Sequence, residues 1–501
     1  MSNLGRTGAV DRRLAVALLV GCLFTAACGT QVSDQLRSDA AAAALGRGGA
    51  GLAATTVTAA GPGAPVTGPA TAVNRDGANP VAAVGSGPVR PGAPATAAGP
   101  GATSPSGSTA PPAVSAAVPA GGNGGATDIG VTADSITIGN VSDLTGPQPG
   151  LFQPTVDGTN AYLAYVNSQG GLFGRKLKIA VADSQTSCAG DQSGHQQLVD
   201  KVFAFAGSFS LFDSCGASVL QQHPDIPDAH LAVTQEANDL VNNFSVNPVG
   251  KKVNNGSYAW AAKKFGADAV QHAALMYVNL PAVTNTAGLL RKAAESVGWK
   301  FDYERAVGAT ETDFTADIVQ MRQKGVKVFL TLFNSDEMAN FKPAADQQNF
   351  TPFYLAQLMY DQTFFKKLGG SAAAEGMYGN HAYALFFSPE DAAAIPAVAL
   401  FQKWYAQASG GAGADAFAAS GWAETHLLVE AMRRAGPHLT RKAVLEQLHA
   451  IGVFDADGFV APANPGTKQA PLCYLLWQIH NGRFVRVDSP DKAFRCDGAL
   501  A

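Results

Sequence analysis

The residues best able to do chemistry in this sequence are four paired-looking cysteines, nine scattered histidines, and hydroxyls and acids that follow short apolar runs. Cys188, Cys215, Cys473 and Cys496 allow three disulfide pairings. The local pairs, Cys188 with Cys215 and Cys473 with Cys496, are favoured, because Cys188 and Cys215 each follow a strand-like run and so share one rim of a sheet. Closing a loop of that size is worth roughly 3.5 kcal/mol in the chain-entropy description. Zinc ligation is the competing use. Neither pair has CxxC spacing, however, and no histidine stands near enough in sequence to suggest a third ligand. No HExxH, GxSxG or Walker A pattern occurs. Neither catalysis nor a cofactor or metal is therefore expected, and a binding role is the better reading.

The elements that must position these residues begin with Ser135 to Cys188, which reads as one βαβ unit. SITIGNVS is a short buried strand, TGP (with Thr145) a turn, Tyr162, Tyr165 and Val166 recur at helical spacing, and LKIAVAD is a second strand. A parallel pair with a right-handed crossover follows. Strands and helices then alternate through KVFAFAG and HLAVT, and a second βα series starts near Pro248–Gly256. After Ser388 the chain turns helical, and it closes with a hairpin around Asn481–Gly482. Two α/β lobes with returning segments place a small-molecule cleft at the interface between them.

Upstream lies a different kind of chain. Arg6, Arg12 and Arg13 precede the apolar run Leu14 to Phe24, which is shorter than the ~20 residues a spanning helix needs. It reads as a signal peptide. Thr25-Ala26-Ala27-Cys28 resembles the lipobox of bacterial lipoproteins, with Thr25 where Leu is usual, and implies lipidation of Cys28. From there to about Thr127 the sequence is rich in Ala, Gly, Pro, Thr and Ser and nearly free of charge. Such a tract cannot offset its ordering entropy and is expected to be a flexible tether spanning roughly 55 Å. The net charge of −4, with no basic stripe, argues against nucleic-acid binding.

ITIGNVSDLTGP, Gly158, NSQGGLFGRKLKI and the AD that follows resemble the opening of the type 1 periplasmic binding proteins, in particular the branched-chain amino-acid binding subfamily of ABC transporters. The likeness extends in general organisation from about Ala133 to Val487, and Cys188 and Cys215 match a disulfide familiar in that group. It implies an α/β fold of two Rossmann-like lobes with parallel central sheets, joined by a hinge of three crossovers. The expected divisions are a signal peptide over 1–27, a lipid-anchored tether over 28–127, a first lobe over 128–250 and a second over 251–385. Returning segments shared between the lobes would fill 386–501. In such proteins hydroxyls and backbone N–H groups of the first lobe hold a ligand carboxylate, and an acid of the second holds its ammonium.

By that resemblance Ser210 and Thr234, with Gln235 and more weakly Thr145, are first-lobe candidates, although capping or turn formation explains them equally well. In the second lobe Asp361, beside Tyr360, is the candidate ammonium partner, and N-capping of the following helix is the alternative. Phe333 and Asn334 occupy the place of a familiar aromatic contact, for which core packing is the alternative. The loop YVNLPAVTNTAG lacks the Asp and Tyr-Gly common in amino-acid binders and keeps only Asn279 and Thr284 for hydrogen bonding. This departure argues against plain leucine or valine and leaves amides, aromatic acids and other small carboxylates open. The expectation is a monomeric, extracytoplasmic protein anchored at the membrane through Cys28, binding a small molecule and working with an ABC permease. A sensor domain of the same fold is the alternative, and a hydrolase or amidase the alternative of another class.

Overall fold

The computed structural model describes residues 116–147, 149–487 and 493–501, so the signal segment, Cys28 and most of the expected tether lie outside the described residues. The first sheet is built from β1 (Ser135–Ser142), β2 (Lys176–Asp183), β3 (Ala204–Ala206), β4 (Asp228–Ala229) and β5 (Asn243–Phe244). All its pairings are parallel and its order is β2-β1-β3-β4-β5. The second runs β12-β11-β10-β9-β8-β6-β7. It contains β6 (Ala273–Val278), β7 (Phe301–Val307), β8 (Val328–Thr331), β9 (Phe353–Ala356), β10 (Tyr378–His381), β11 (Leu475–His480) and β12 (Arg483–Arg486). The last two form the antiparallel hairpin expected around Asn481–Gly482. In each sheet the chain reverses direction of winding beside its first strand, the position where ligands gather at the carboxyl ends of open α/β sheets.

Helix α1 (Gln153–Ser168) crosses back over the first sheet, with Pro154 pre-set in its first turn and Gly170 and Gly171 at positive φ beyond its end. The later helices α2 (Pro396–Ala408), α3 (Ala416–Ala435) and α4 (Arg441–Ala450) return to this lobe, where α2 and α3 pack on α1. The α1–α3 crossing is close. A Cβ on Gly158 would strike the Ala418 carbonyl, and one on Gly421 would strike the Thr155 carbonyl. Buried Arg441 then ties α4 to the sheet by donating to the carbonyls of Phe203, Val199 and Val202 at 3.2, 2.9 and 2.7 Å. Both disulfides join the local pairs, Cys188–Cys215 and Cys473–Cys496.

Two boundaries differ from the sequence reading. The chain joins the folded body before residue 127, because the guanidinium of fully buried Arg175 donates to the carbonyls of Asn123 and Gly125 at 2.5 and 2.9 Å. A charge so deep needs such acceptors, and the Gly-rich segment supplies them. HLAVT, read as a strand, is largely a loop. Strand β4 ends at Ala229, where His230 Nδ1 bonds the Asp228 carboxylate at 2.7 Å inside the lobe. Among the described residues no helix is long and apolar enough to cross a membrane.

Gly158→Ala should destabilise the protein by about 2–3 kcal/mol, since backbone rather than a flexible side chain stands in the way. Chemical denaturation measures this, and a loss below about 0.5 kcal/mol would contradict the crossing described here. Stability should also depend on pH. Burial opposes charge on His230, but Asp228, Asp213 and Glu424 override it and hold its pKa at about 9. Burial lifts Glu424 to about 8 and Asp191 to about 7. All three bind protons more tightly folded than unfolded, so each loses its contribution as pH rises, the two carboxyls from about 4 up to about 7 and 8 and His230 from about 6.5 to 9. Between about 4 and 6.5 His381 and His426, held by burial at about 3 and 4, act in the opposite sense and partly offset the carboxyls. Melting temperature should therefore decline from about pH 6.5 to 9, where no histidine offsets the loss; a flat profile over that range would refute the assignment.

Candidate functional site

Between the lobes lies a cavity of about 320 Å³ whose floor is the hinge itself. Asn247, Pro248 and Val249 belong to the first crossover, Ala382 and Tyr383 to the second, and Ala470, Pro471 and Cys473 to the third. The second and third crossovers pair with each other, Ala461 N–H donating to the Ala382 carbonyl at 2.7 Å and Ala384 N–H to Phe459 at 2.8 Å. The lobes also touch across the cleft, where Asn285 Nδ2 reaches the Val233 carbonyl at 3.5 Å.

The first-lobe wall is shaped by two buried aspartates. Asp143 accepts the Leu211 N–H at 2.9 Å, and Asp213 accepts the Val233 N–H at 2.7 Å and the Thr234 hydroxyl at 2.6 Å. These bonds draw the loop backbones inward and leave Leu211 and Val233 lining the cavity. Extended backbone alternates sides, so Phe209 and Leu231 line it too, while Ser208, Ser210 and Thr234 are buried away from it. Ser208 Oγ accepts the Val141 N–H at 3.1 Å, and Ser210 Oγ accepts that of Phe212 at 3.1 Å. The hydroxyls thus serve backbone donors that the short ladder between β1 and β3 does not reach.

From the second lobe come Val278 at the end of β6 and Leu280 after it, Leu332 and Asn334 after β8, and Gln357 and Leu358 after β9. The helix after β6 spans Pro281–Glu295, with Leu280 as its N-cap residue and proline favouring its first turn. Thr284 is consequently an exposed helical residue, and Asn279, also exposed, does not line the cavity. Phe333 packs in the core against Phe314, Phe329 and Phe341. Tyr360 is equally buried, its hydroxyl accepting the Phe387 N–H at 2.9 Å. Asn334 does line the cavity, while its side chain caps the next helix in a capping box with Glu337.

A second chamber of about 590 Å³ adjoins the first, sharing Leu151, Asn334, Glu337, Leu358, Ala416 and Phe417 with it. Asp361 lies here. Both its oxygens are bonded to Thr363, Oδ1 accepting the N–H at 2.8 Å and Oδ2 the hydroxyl at 2.6 Å. Asp415, which caps α3 by accepting the Ala418 N–H at 2.8 Å, is raised by burial, with Asp361 and Asp157 adding to the effect, to about 7. Thr145 stands outside both chambers, donating to Asp183 at 2.5 Å, and Gln235 bonds Asp239 at 2.6 Å near the first crossover. Of the sequence candidates, then, the structure brings Asn334 and Asp361 to the cleft. Phe209, Leu211, Leu231, Val233 and Leu358 are apolar lining residues that a pattern of polar candidates does not mark; alternation in Ser-Phe-Ser-Leu is a signal for the first two. No group of three or more potential metal ligands is assembled among the described residues.

Solved structures show the same fold. A fatty acid ABC transporter substrate-binding protein from Thermomonospora curvata is 18% identical with a TM-score of 0.61, covering 74% of this chain and 95% of that one. A branched chain amino acid ABC transporter protein from Thermus thermophilus with bound valine is likewise 18% identical with a TM-score of 0.61, over 71% and 96%. An extracellular ligand-binding receptor from Verminephrobacter eiseniae is 19% identical with a TM-score of 0.59, over 70% and 99%. The sequence model described as periplasmic binding protein matches residues 135–483, which is most of the chain. With one parallel and one mostly parallel α/β sheet facing each other across a three-crossover floor, this chain belongs to the periplasmic binding protein family, type 1.

Proposed function

We infer that this chain is the extracytoplasmic solute-binding component of an ABC importer, capturing one small molecule by closure of its lobes and releasing it unchanged to a membrane permease. The observation that carries the reading is the cavity whose floor is made of all three crossovers. A ligand there touches both lobes and the segments that bend between them, so its binding energy is coupled directly to closure. A volume of about 320 Å³ is at the small end of the range for ligand pockets, consistent with a single small solute. The protein acts as a monomer held by a lipid on Cys28, and the Ala/Gly/Pro-rich stretch gives it reach from the membrane.

A ligand present at 100 times its Kd should stabilise the folded protein by about 2.7 kcal/mol. A thermal-shift screen across amino acids, amides and small carboxylic acids reads this as a rise in melting temperature, and small-angle scattering should show a more compact particle. A flat screen, or turnover of a stabilising compound, would refute the reading. For the anchor, Cys28→Ala should move the protein from the membrane to the soluble fraction; persistence in the membrane fraction would overturn that part.

A further inference from the structure

We propose that the inner chamber selects a small, predominantly apolar ligand without an ammonium group, its single polar end turned toward Gln357 and Asn380. This deepens the binding reading above and depends on it. Strands β3, β4, β6, β8 and β9 each deliver an apolar side chain to the chamber from beyond their carboxyl ends: Leu211, Val233, Leu280, Leu332 and Leu358. These are the ends at which a zwitterion would need its donors and acceptors. The inward turn of Ser210 and Thr234 removes the first-lobe hydroxyls that would serve a ligand carboxylate.

The lining holds one carboxyl, Glu337, and one imidazole, His381. Glu337 is buried and closes the capping box by accepting the Asn334 N–H at 2.8 Å. His381 is kept neutral, its Nδ1 accepting the Tyr383 N–H at 3.1 Å. Of the acids in the adjoining chamber, Asp361 has both oxygens bonded to Thr363 and Asp415 caps α3. An ammonium brought here would lose its hydration without gaining a dedicated partner. Asn247, Asn254, Ser257 and Thr286 also line the chamber, and His381 Nε2 is buried there without a hydrogen-bond partner among the described residues, but the amide pair of Gln357 and Asn380 presents both a donor and an acceptor. Gln357 Nε2 donates to Asn380 Oδ1 at 2.9 Å, which leaves Gln357 Oε1 and Asn380 Nδ2 for a ligand's amide, hydroxyl or carboxyl group. The volume of about 320 Å³ accommodates roughly ten water-sized groups, the size of a six-carbon chain with a head group or a phenylpropanoid.

The test is calorimetric titration of the purified protein with one carbon skeleton bearing four heads: 4-methylpentanamide, 4-methylpentanoic acid, leucine and 4-methylpentylamine. The amide and the acid should bind on the order of 100-fold more tightly than leucine or the amine, the cost of stranding an ammonium. Comparing amide with acid shows whether the polar end is neutral or anionic. Equal or tighter binding of leucine or the amine would overturn the inference while leaving the solute-binding reading standing. Failure of all four together with the whole amino-acid panel would overturn both. Asn380→Leu should weaken the amide roughly tenfold, with an unchanged melting temperature certifying the fold. Unchanged affinity in that variant would overturn the placement of the polar end.

Discussion

Two helix backbones meet at Gly158 and Gly421 with no side chain between them, and the cleft depends on that contact. Helix α3 enters the structure more than 250 residues after α1, yet it completes the covering of the first sheet. Seated there, it carries Glu424 beneath the first crossover, where the carboxylate accepts the Ser245 hydroxyl at 2.6 Å and the Val246 N–H at 3.1 Å. Its first turn brings Ala416 and Phe417 to both chambers, and its cap Asp415 to the outer one. A methyl group at either glycine would push all of these outward together.

Buried charge is used in one consistent way. Arg175, Arg441, Asp143, Asp213 and Glu424 are all buried, and each is bonded to backbone groups of segments far from it in sequence. A buried polar or ionised group must be satisfied, so the segments it binds cannot drift without a large penalty. For Asp143, Asp213 and Glu424 those segments are the loops that wall the cleft and the stretch that leads to the hinge, while Arg175 and Arg441 fix the N-terminal segment and α4. The polar groups lie behind the walls, where they position the apolar side chains that face the cavity.

That arrangement also explains what could be read in advance. The alternation of strand and helix, the hairpin at Asn481–Gly482 and the local cysteine pairs are short-range patterns, and the fold follows them. Gly158 was visible as a family feature, but its reason lies with Gly421, a contact no local pattern contains. The side of the cleft wall was harder. Strand β3 is covered on both faces, so Ala204, Phe205 and Ala206 are all fully buried and give no parity to extend into the Ser-Phe-Ser-Leu that follows. A serine past a strand end normally suggests a solvent- or ligand-facing hydroxyl; here unpaired backbone N–H groups claimed it. Asp361 and Asn334 show the same competition, since a residue suited to hold a ligand is equally suited to cap the next helix.

The apolar walls bear on the motion as well as on the occupant. Phe152, Phe209, Leu211 and Ala282 form one buried cluster that spans the two lobes. Separating the lobes hydrates this surface, and hydration of apolar surface carries a positive heat capacity. The equilibrium between open and closed forms therefore has a curved temperature dependence, with closure losing some of its drive in the cold. A cleft sealed by ion pairs would lack that curvature. In this protein temperature acts on the hinge through the side chains of the cleft.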